Sequence, residues 1–295
     1  MHSNPHTDNP AKTDHSGILY VVATPIGNKE DITLRALNTL REVDFILAED
    51  TRKTGRFLAY YNINNRLVSY HEHNENKRTP VLVEKLKKGM SIALVSDAGT
   101  PTVSDPGYIL IHQAIAGRIN VVPIPGVSAA ITALSASGLP SDSFVFVGFT
   151  SKKKKKRMNQ LYELSKETRT LIFYESPKRI LSFMEDISVA FGSNRQVVVS
   201  REMTKIHEEF IRGSVAEVVD LLKKRSTIKG ECTLIVSGAS KNEAVSIEVI
   251  TKEISRKLEA NQKISDLAKE IALKYQVPKS RIYQEALKLA GKKGR

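Results

Sequence analysis

The chain reads as an α/β protein: two successive α/β units followed by a helical tail. Three observations predict it. Short unbroken apolar runs such as Ile18–Ala23, Phe45–Ala48 and Ser91–Val95 have the composition of strands buried on both faces. Helix-period segments separate these runs, with Gly- and Pro-rich loops at the junctions, the pattern of a mainly parallel sheet with crossover helices. The last ~50 residues contain little Gly or Pro and read as helices alone. A length of 295 residues suits about two domains of ordinary size. The boundaries fall at 1–16 for a polar, disordered tail, 17–139 and 140–240 for the two α/β lobes, and 241–295 for a helical domain.

Taken in order, Ile18–Ala23 is a central strand ending in T-P-I-G-N. Asp31 or Thr33 caps a helix that runs to about Arg41 and aligns Leu34, Leu37 and Leu40. Strand Phe45–Ala48 leads into E-D-T-R and a helix over Thr54–Tyr61; strand Leu67–Tyr70 opens into H-E-H-N-E-N-K-R and a helix over Pro80–Lys88. Ser91–Val95 enters the longest loop, S-D-A-G-T-P-T-V-S-D-P-G over Ser96–Gly107, and Tyr108–Ala116 is helical. Asn120–Val122 is followed by P-I-P-G-V-S-A-A and a helix to about Ser137. In the second half the strands are Phe144–Gly148, Thr170–Tyr174, Gln196–Ser200, Glu208–Ile211 and Cys232–Ser237, with helices ending near Glu167 and spanning Pro177–Val189 and Ser214–Lys224. In the tail, Glu253–Leu258, Ile264–Tyr275 and Ser280–Ala290 form a small helix-turn-helix-like bundle, where basic residues outnumber acidic ones by six.

The loops carry the chemistry. In a parallel sheet, those after successive strands meet on one edge, where open α/β sheets place ligands. Asp97 and Asp105 supply acceptors, Gly99 and Gly107 permit close backbone approach, and Pro101 and Pro106 stiffen the loop. A tight capped turn is the bland alternative, but two Gly, two Pro and two Asp within twelve residues favour a ligand loop. Neither G-x-G-x-x-G nor the Walker loop is present, which disfavours a nicotinamide dinucleotide or nucleoside triphosphate. The single Cys232 excludes a disulfide framework and suits a reducing cytoplasm; H-x-H at 71–73 lacks an obvious third metal ligand, so no metal is expected. The N-terminus is too polar for a signal peptide, and no apolar run approaches a membrane span.

A net charge of +13 favours a polyanionic partner, nucleic acid first. The six consecutive cations Lys152, Lys153, Lys154, Lys155, Lys156 and Arg157 form a solvated loop or helix entry after the first lobe. Two further strings begin where apolar strands stop: F-Y-E-S-P-K-R at Phe173–Arg179, and S-R-E-M-T-K-I-H-E-E at Ser200–Glu209. Surface ion pairs would explain both without function.

Six ordered strings between Val22 and Glu209 carry a resemblance: V-A-T-P-I-G-N, A-E-D-T-R, S-D-A-G-T-P-x-x-S-D-P-G, P-I-P-G-V-S-A, F-Y-E-S-P-x-R and S-R-E-x-T-K-x-H-E-E. The chain is similar to the S-adenosylmethionine-dependent methyltransferases of the tetrapyrrole methylase fold, and within them resembles the ribosomal RNA small subunit methyltransferase I family. The resemblance implies two lobes with the cofactor, S-adenosyl-L-methionine, in a cleft between them. It implies 2′-O-methylation of a cytidine in the decoding region of bacterial 16S rRNA, a small-subunit partner and a homodimer. It maps cofactor binding onto Pro25, Gly27, Asp97, Gly99, Thr100, Ser128, Ala129, Tyr174, Thr204 and Glu231. For activating a ribose hydroxyl the candidates are Glu175, Lys205 and Asp50; Arg201 and Arg179 are placed to hold phosphates. The lysine run, Arg157 and the tail are expected to grip RNA. The alternatives are methylation of a small tetrapyrrole, which the basic surplus argues against, and a non-enzymatic nucleic-acid-binding module, which leaves the Gly/Pro/Asp loops unexplained.

Overall fold

The computed structural model describes residues 17–239, 241–260, 262–275 and 279–293. The expected tail at 1–16 lies outside them, as does most of the turn before the last helix. The chain divides into two units between Ser128 and Ala129.

The first unit runs β1 (Ile18–Val22), α1 (Leu34–Glu42), β2 (Phe45–Ala48), α2 (Thr51–Tyr60), β3 (Leu67–Ser69), α3 (Glu75–Lys87), β4 (Ile92–Val95), α4 (Tyr108–Ala116) and β5 (Asn120–Ile124). Its five strands form one sheet in the order β3-β2-β4-β1-β5, and every pairing is parallel. All residues of β2 and β4 are buried, as their unbroken apolar sequence requires for strands covered on both faces. One core layer gathers Leu19, Phe45, Leu47, Leu86, Leu94 and Leu110; another gathers Val22, Leu37, Leu40, Ile46 and Leu58. Thr33 caps α1 by accepting the Ala36 N–H at 3.1 Å, so of the two capping residues considered Thr33 is the one used. Asn65 closes the other end of α1, donating to Leu40 O at 2.9 Å and Val43 O at 2.8 Å.

Two helices start earlier than their sequences suggest. Asp50 caps α2, drawing its start back to Thr51. Helix α3 begins at Glu75 and contains Pro80, where a proline-initiated helix is expected. Next to it Thr79, fully buried, hydrogen-bonds Glu75 O at 2.7 Å and the Tyr70 hydroxyl at 3.0 Å, which ties this turn to the end of β3.

The second unit runs α5 (Ala129–Ser135), β6 (Phe144–Phe149), α6 (Lys154–Leu164), β7 (Thr170–Glu175), α7 (Ile180–Phe191), β8 (Gln196–Arg201), β9 (Glu209–Ser214), α8 (Val215–Lys223), β10 (Cys232–Val236), α9 (Lys241–Glu259), α10 (Ile264–Tyr275) and α11 (Lys279–Lys293). Its sheet, β6-β7-β10-β8-β9, has one parallel pair, β6 with β7; the rest is antiparallel. The connection from β8 to β9 is too short for a crossover, which needs a dozen or more residues, so these strands pair as a hairpin. Ser214 and Glu217 form a reciprocal capping box on α8. The tail helices pack through Ile250, Ile254, Leu267, Ile271, Ile282 and Ala286. Helix α9 has 19 residues, far longer than the Glu253–Leu258 segment expected.

Arg157 corrects the reading of the cationic run. It is buried: its guanidinium holds Asp186 at 2.6 Å and donates to the carbonyls of Ser151 and Lys152. Arg157→Met should therefore lower unfolding free energy by about 3–5 kcal/mol in urea titrations, because buried Asp186 keeps only the exposed Lys154 at 4.0 Å, and adding Asp186→Leu should recover most of the loss. Equal stabilities for wild type and the single variant would show that the pair does not anchor α6.

Candidate active site

Strand order alone brings four loops together. The carboxyl ends of β2, β4, β1 and β5 lie side by side, so the loops beginning at Glu49, Ser96, Ala23 and Pro125 share one edge of the first sheet. The two central loops are joined by paired backbone hydrogen bonds, Thr24 N–H to Gly99 O and Gly99 N–H to Thr24 O, each 2.9 Å. The Thr24 hydroxyl donates to Ser96 O at 3.3 Å, and the Thr100 hydroxyl to Val127 O at 3.0 Å, tying in the loop after β5. Gly126 is required there: a Cβ would lie 2.8 Å from the Cβ of Ala23. The long loop is backbone-strained at Thr102 and Ser104, which take positive φ, while Gly99 and Gly107 adopt positive φ without cost.

This edge is acidic. Asp97 accepts the Asp50 N–H at 3.1 Å and pairs with Lys53 at 2.6 Å, so it is oriented from α2. Burial raises the Glu49 carboxyl, and the neighbouring Asp97 raises it further. Burial, aided by Glu49, likewise lifts Asp105 from the ordinary 3.8 to about 6, against the opposing hydrogen bond from Ser96. Asp50 behaves differently: its hydrogen bonds and ion pair with Arg52 hold its carboxyl well below the ordinary range, and it serves as a helix cap. Sequence reasoning missed Lys53 and the pairing of Glu49 with Asp105. Their signal was present in E-D-T-R-K, but it needed the adjacency of β2 and β4 to be read.

In the second unit, Tyr174 accepts the Ala130 N–H at 3.1 Å at the start of α5, beside Ser128 and Ala129, and its ring meets Phe146 and Phe149 edge-on. Glu175 is buried, takes the Ser176 N–H at 2.7 Å and pairs with Arg179 at 3.1 Å. Arg179 also donates to Ser151 O. Arg201 bonds Glu209 at 3.2 Å and Lys229 O at 3.1 Å. Lys205 pairs with Glu202 at 2.9 Å and Glu231 at 3.0 Å. Burial alone would lower its pKa, but the hydrogen bonds and charges of those two carboxylates outweigh it and hold the ammonium above the ordinary range. Lys205 is thus a fixed positive charge rather than a proton acceptor. Thr204 and Glu202 both adopt positive φ in this turn, and the Thr204 N–H donates to Glu208 at 2.6 Å.

Lys152–Lys156 are exposed at the start of α6. Cations there oppose the helix dipole, which favours negative charge at an N-terminus by roughly 0.3–1 kcal/mol per group. His71 contacts Asn74 at 3.0 Å and the ring of His73 at 5.9 Å, and no cluster of three or more potential metal ligands occurs among the described residues. No helix among those residues is long and apolar enough to cross a membrane.

Residues 18–219 match the family model of the tetrapyrrole (corrin/porphyrin) methylases. The uroporphyrin-III-C-methyltransferase of Thermus thermophilus superposes with a TM-score of 0.54 at 22% identity, over 75% of this chain and 94% of that one, a likeness of fold. The class is therefore a methyltransferase of the tetrapyrrole methylase fold. The protein named ribosomal RNA small subunit methyltransferase I in Vibrio cholerae is 45% identical over 294 residues, 97% of this chain and 99% of that one. Its namesake in Halalkalibacterium halodurans is 52% identical over 225 residues, 76% of this chain and 77% of that one. The chain belongs to this ribosomal RNA small subunit methyltransferase I family.

The raised Asp105 pKa sets a pH test. Such a carboxyl favours the folded state below its unfolded pKa near 4 and loses that advantage as pH rises through about 6. Asp105→Asn should therefore gain stability relative to wild type between pH 4 and pH 8 in urea titrations. A difference independent of pH would contradict the buried-carboxyl assignment.

Proposed function

We propose that this protein transfers a methyl group from S-adenosyl-L-methionine to the ribose 2′-hydroxyl of a cytidine in the decoding region of 16S rRNA, acting on the small ribosomal subunit. The observation that carries the reading is the lysine run: five exposed cations held where the helix dipole disfavours them, on a methyltransferase fold with a net charge of +13. Whole-length similarity to a protein named for small-subunit ribosomal RNA supports it. A cytoplasmic location and a homodimer belong to the same proposal.

The residues of the first unit fit the cofactor. S-adenosylmethionine bears a sulfonium and an ammonium, and the acidic edge of Glu49, Asp97 and Asp105 complements cations. Pro25, Gly27, Gly99 and Thr100 line that edge, Gly99 held in place by its two bonds to Thr24, and Gly126 lets the loop after β5 pack directly on Ala23. Ser128 and Ala129 and, from the second unit, Tyr174, Thr204 and Glu231 complete the proposed binding set. When bound, the cofactor supplies an already activated methyl group, so the protein mainly positions and orients, a contribution on the order of 7–11 kcal/mol.

Glu175 is the proposed proton acceptor for the ribose hydroxyl, and Arg179 orients it through the pairing at 3.1 Å. Lys205 and Arg201 supply fixed positive charge toward the RNA. Lys152, Lys153, Lys154, Lys155 and Lys156 bind phosphates, and Arg179 contributes through its exposed part; Arg157 is left out because it is buried.

The direct test mixes methyl-labelled cofactor with small subunits, free ribosomal RNA or a tetrapyrrole. Label should enter small-subunit RNA at one ribose; label in the tetrapyrrole, or in neither, would overturn the reading. Replacing Lys152–Lys155 by Ala should flatten the salt dependence of RNA binding by up to about 0.7 per lost phosphate contact and leave cofactor affinity within about twofold. A collapse of cofactor affinity would place these lysines in the fold or the cofactor site instead.

A further inference from the structure

A pocket of about 580 Å³ opens between the end of β6 and α6. Its volume is in the range of small-molecule sites. Phe149, Thr150, Lys156, Asn159, Gln160 and Glu163 line it. The α6 members are spaced i, i+3, i+4 and i+7, so they form one face of the helix, while Arg157 and Leu161 turn into the core.

The lining is poised for a ligand. Phe149 is 60% exposed, and one edge of its ring is fixed against Tyr174 at 5.6 Å between centroids. A bulge between Phe146 and Gly148, with Gly148 at positive φ, breaks the strand register just before it. Thr150 is 5% exposed, and its hydroxyl has no hydrogen-bond partner. Among the described residues, the side chains of Asn159, Gln160, Glu163 and Lys156 form no hydrogen bond or ion pair. Buried polar groups are ordinarily satisfied, so the orphaned Thr150 hydroxyl stands out, and the exposed or half-buried side chains of Lys156, Asn159, Gln160 and Glu163 beside it keep their donors and acceptors free of protein partners.

The geometry points to this pocket as the seat of an unstacked RNA base bearing an exocyclic amine, an inference that rests on the RNA-methylating reading and names the group that reads the base. Splayed bases are recognised by stacking on aromatic rings and by hydrogen bonds to their edges. Phe149 provides the stacking face, Asn159 and Gln160 each provide a donor and an acceptor, and Lys156 provides a phosphate contact. Glu163 is the discriminator. A carboxylate accepts from an amine such as cytosine N4 and repels the carbonyl oxygen that replaces it in uracil.

The test uses the intact chain and fluorescein-labelled octacytidylate and octauridylate, with affinity read by anisotropy at fixed salt. Wild type should bind octacytidylate about tenfold tighter. Glu163→Gln combined with Asn159→Ala should bring the ratio near one, and Phe149→Ala should weaken both ligands. Replacing Lys152–Lys155 by Ala should weaken both and keep the ratio. Equal affinities in wild type, or a ratio untouched by Glu163→Gln with Asn159→Ala, would overturn the assignment. Methyl transfer to small subunits is scored separately. A retained ratio without transfer supports the pocket and faults the enzymatic reading; transfer with a ratio of one supports the enzymatic reading and overturns the pocket.

Discussion

Two 2.9 Å hydrogen bonds between Thr24 and Gly99 join the loops that leave the two central strands of the first sheet. The rest of the candidate cofactor edge depends on that junction. It fixes Ser96 and Thr100 relative to the first loop, and Thr100 reaches on to Val127. Because β1 and β4 are adjacent and parallel, the junction lies between β2 on one side and β5 on the other. The loops after those strands add the acidic residues and the small-residue wall. The parallel sheet therefore does more than form a core; it brings sequence positions some hundred residues apart to one edge.

Electrostatic strain marks both candidate functional surfaces. Glu49 and Asp105 are partly buried, and besides burial Asp97 raises the proton affinity of both while Glu49 raises that of Asp105. Lys152–Lys156 crowd a helix N-terminus, where their charge opposes the backbone dipole. A sequence selected only for stability would avoid both arrangements. A bound cation would relieve the first and a bound polyanion the second. By contrast Arg157, within the same cationic run, is fully engaged with Asp186 and stabilises the fold.

The central strands β2, β4 and β10 were legible because burial on both faces leaves unbroken apolar sequence, and all ten strands appear close to their expected positions. The four loops of the candidate cofactor edge followed from those strands. Pairing direction in the second sheet was not legible from alternation alone and turned on the short link between β8 and β9. Arg157 looked solvated because its neighbours are lysines, although it lies four and seven residues before Leu161 and Leu164 on the inward face of α6. Lys53 could be linked to Asp97 only once β2 and β4 were known to be neighbours. Phe149 gave no signal within a strand pattern, and the polar stripe of α6 that faces the pocket is indistinguishable in sequence from an ordinary wet surface.

The central claim is that the edge built on the Thr24–Gly99 junction holds the methyl donor. Isothermal titration calorimetry of S-adenosylmethionine against wild type and Gly126→Val tests it most directly, with circular dichroism confirming the fold of both. The account predicts one saturable site per chain in wild type and a loss of at least tenfold in affinity in the variant, whose side chain would collide with Ala23 and push the loop after β5 out of place. No heat of binding in wild type, or undiminished affinity in a folded Gly126→Val, would contradict it.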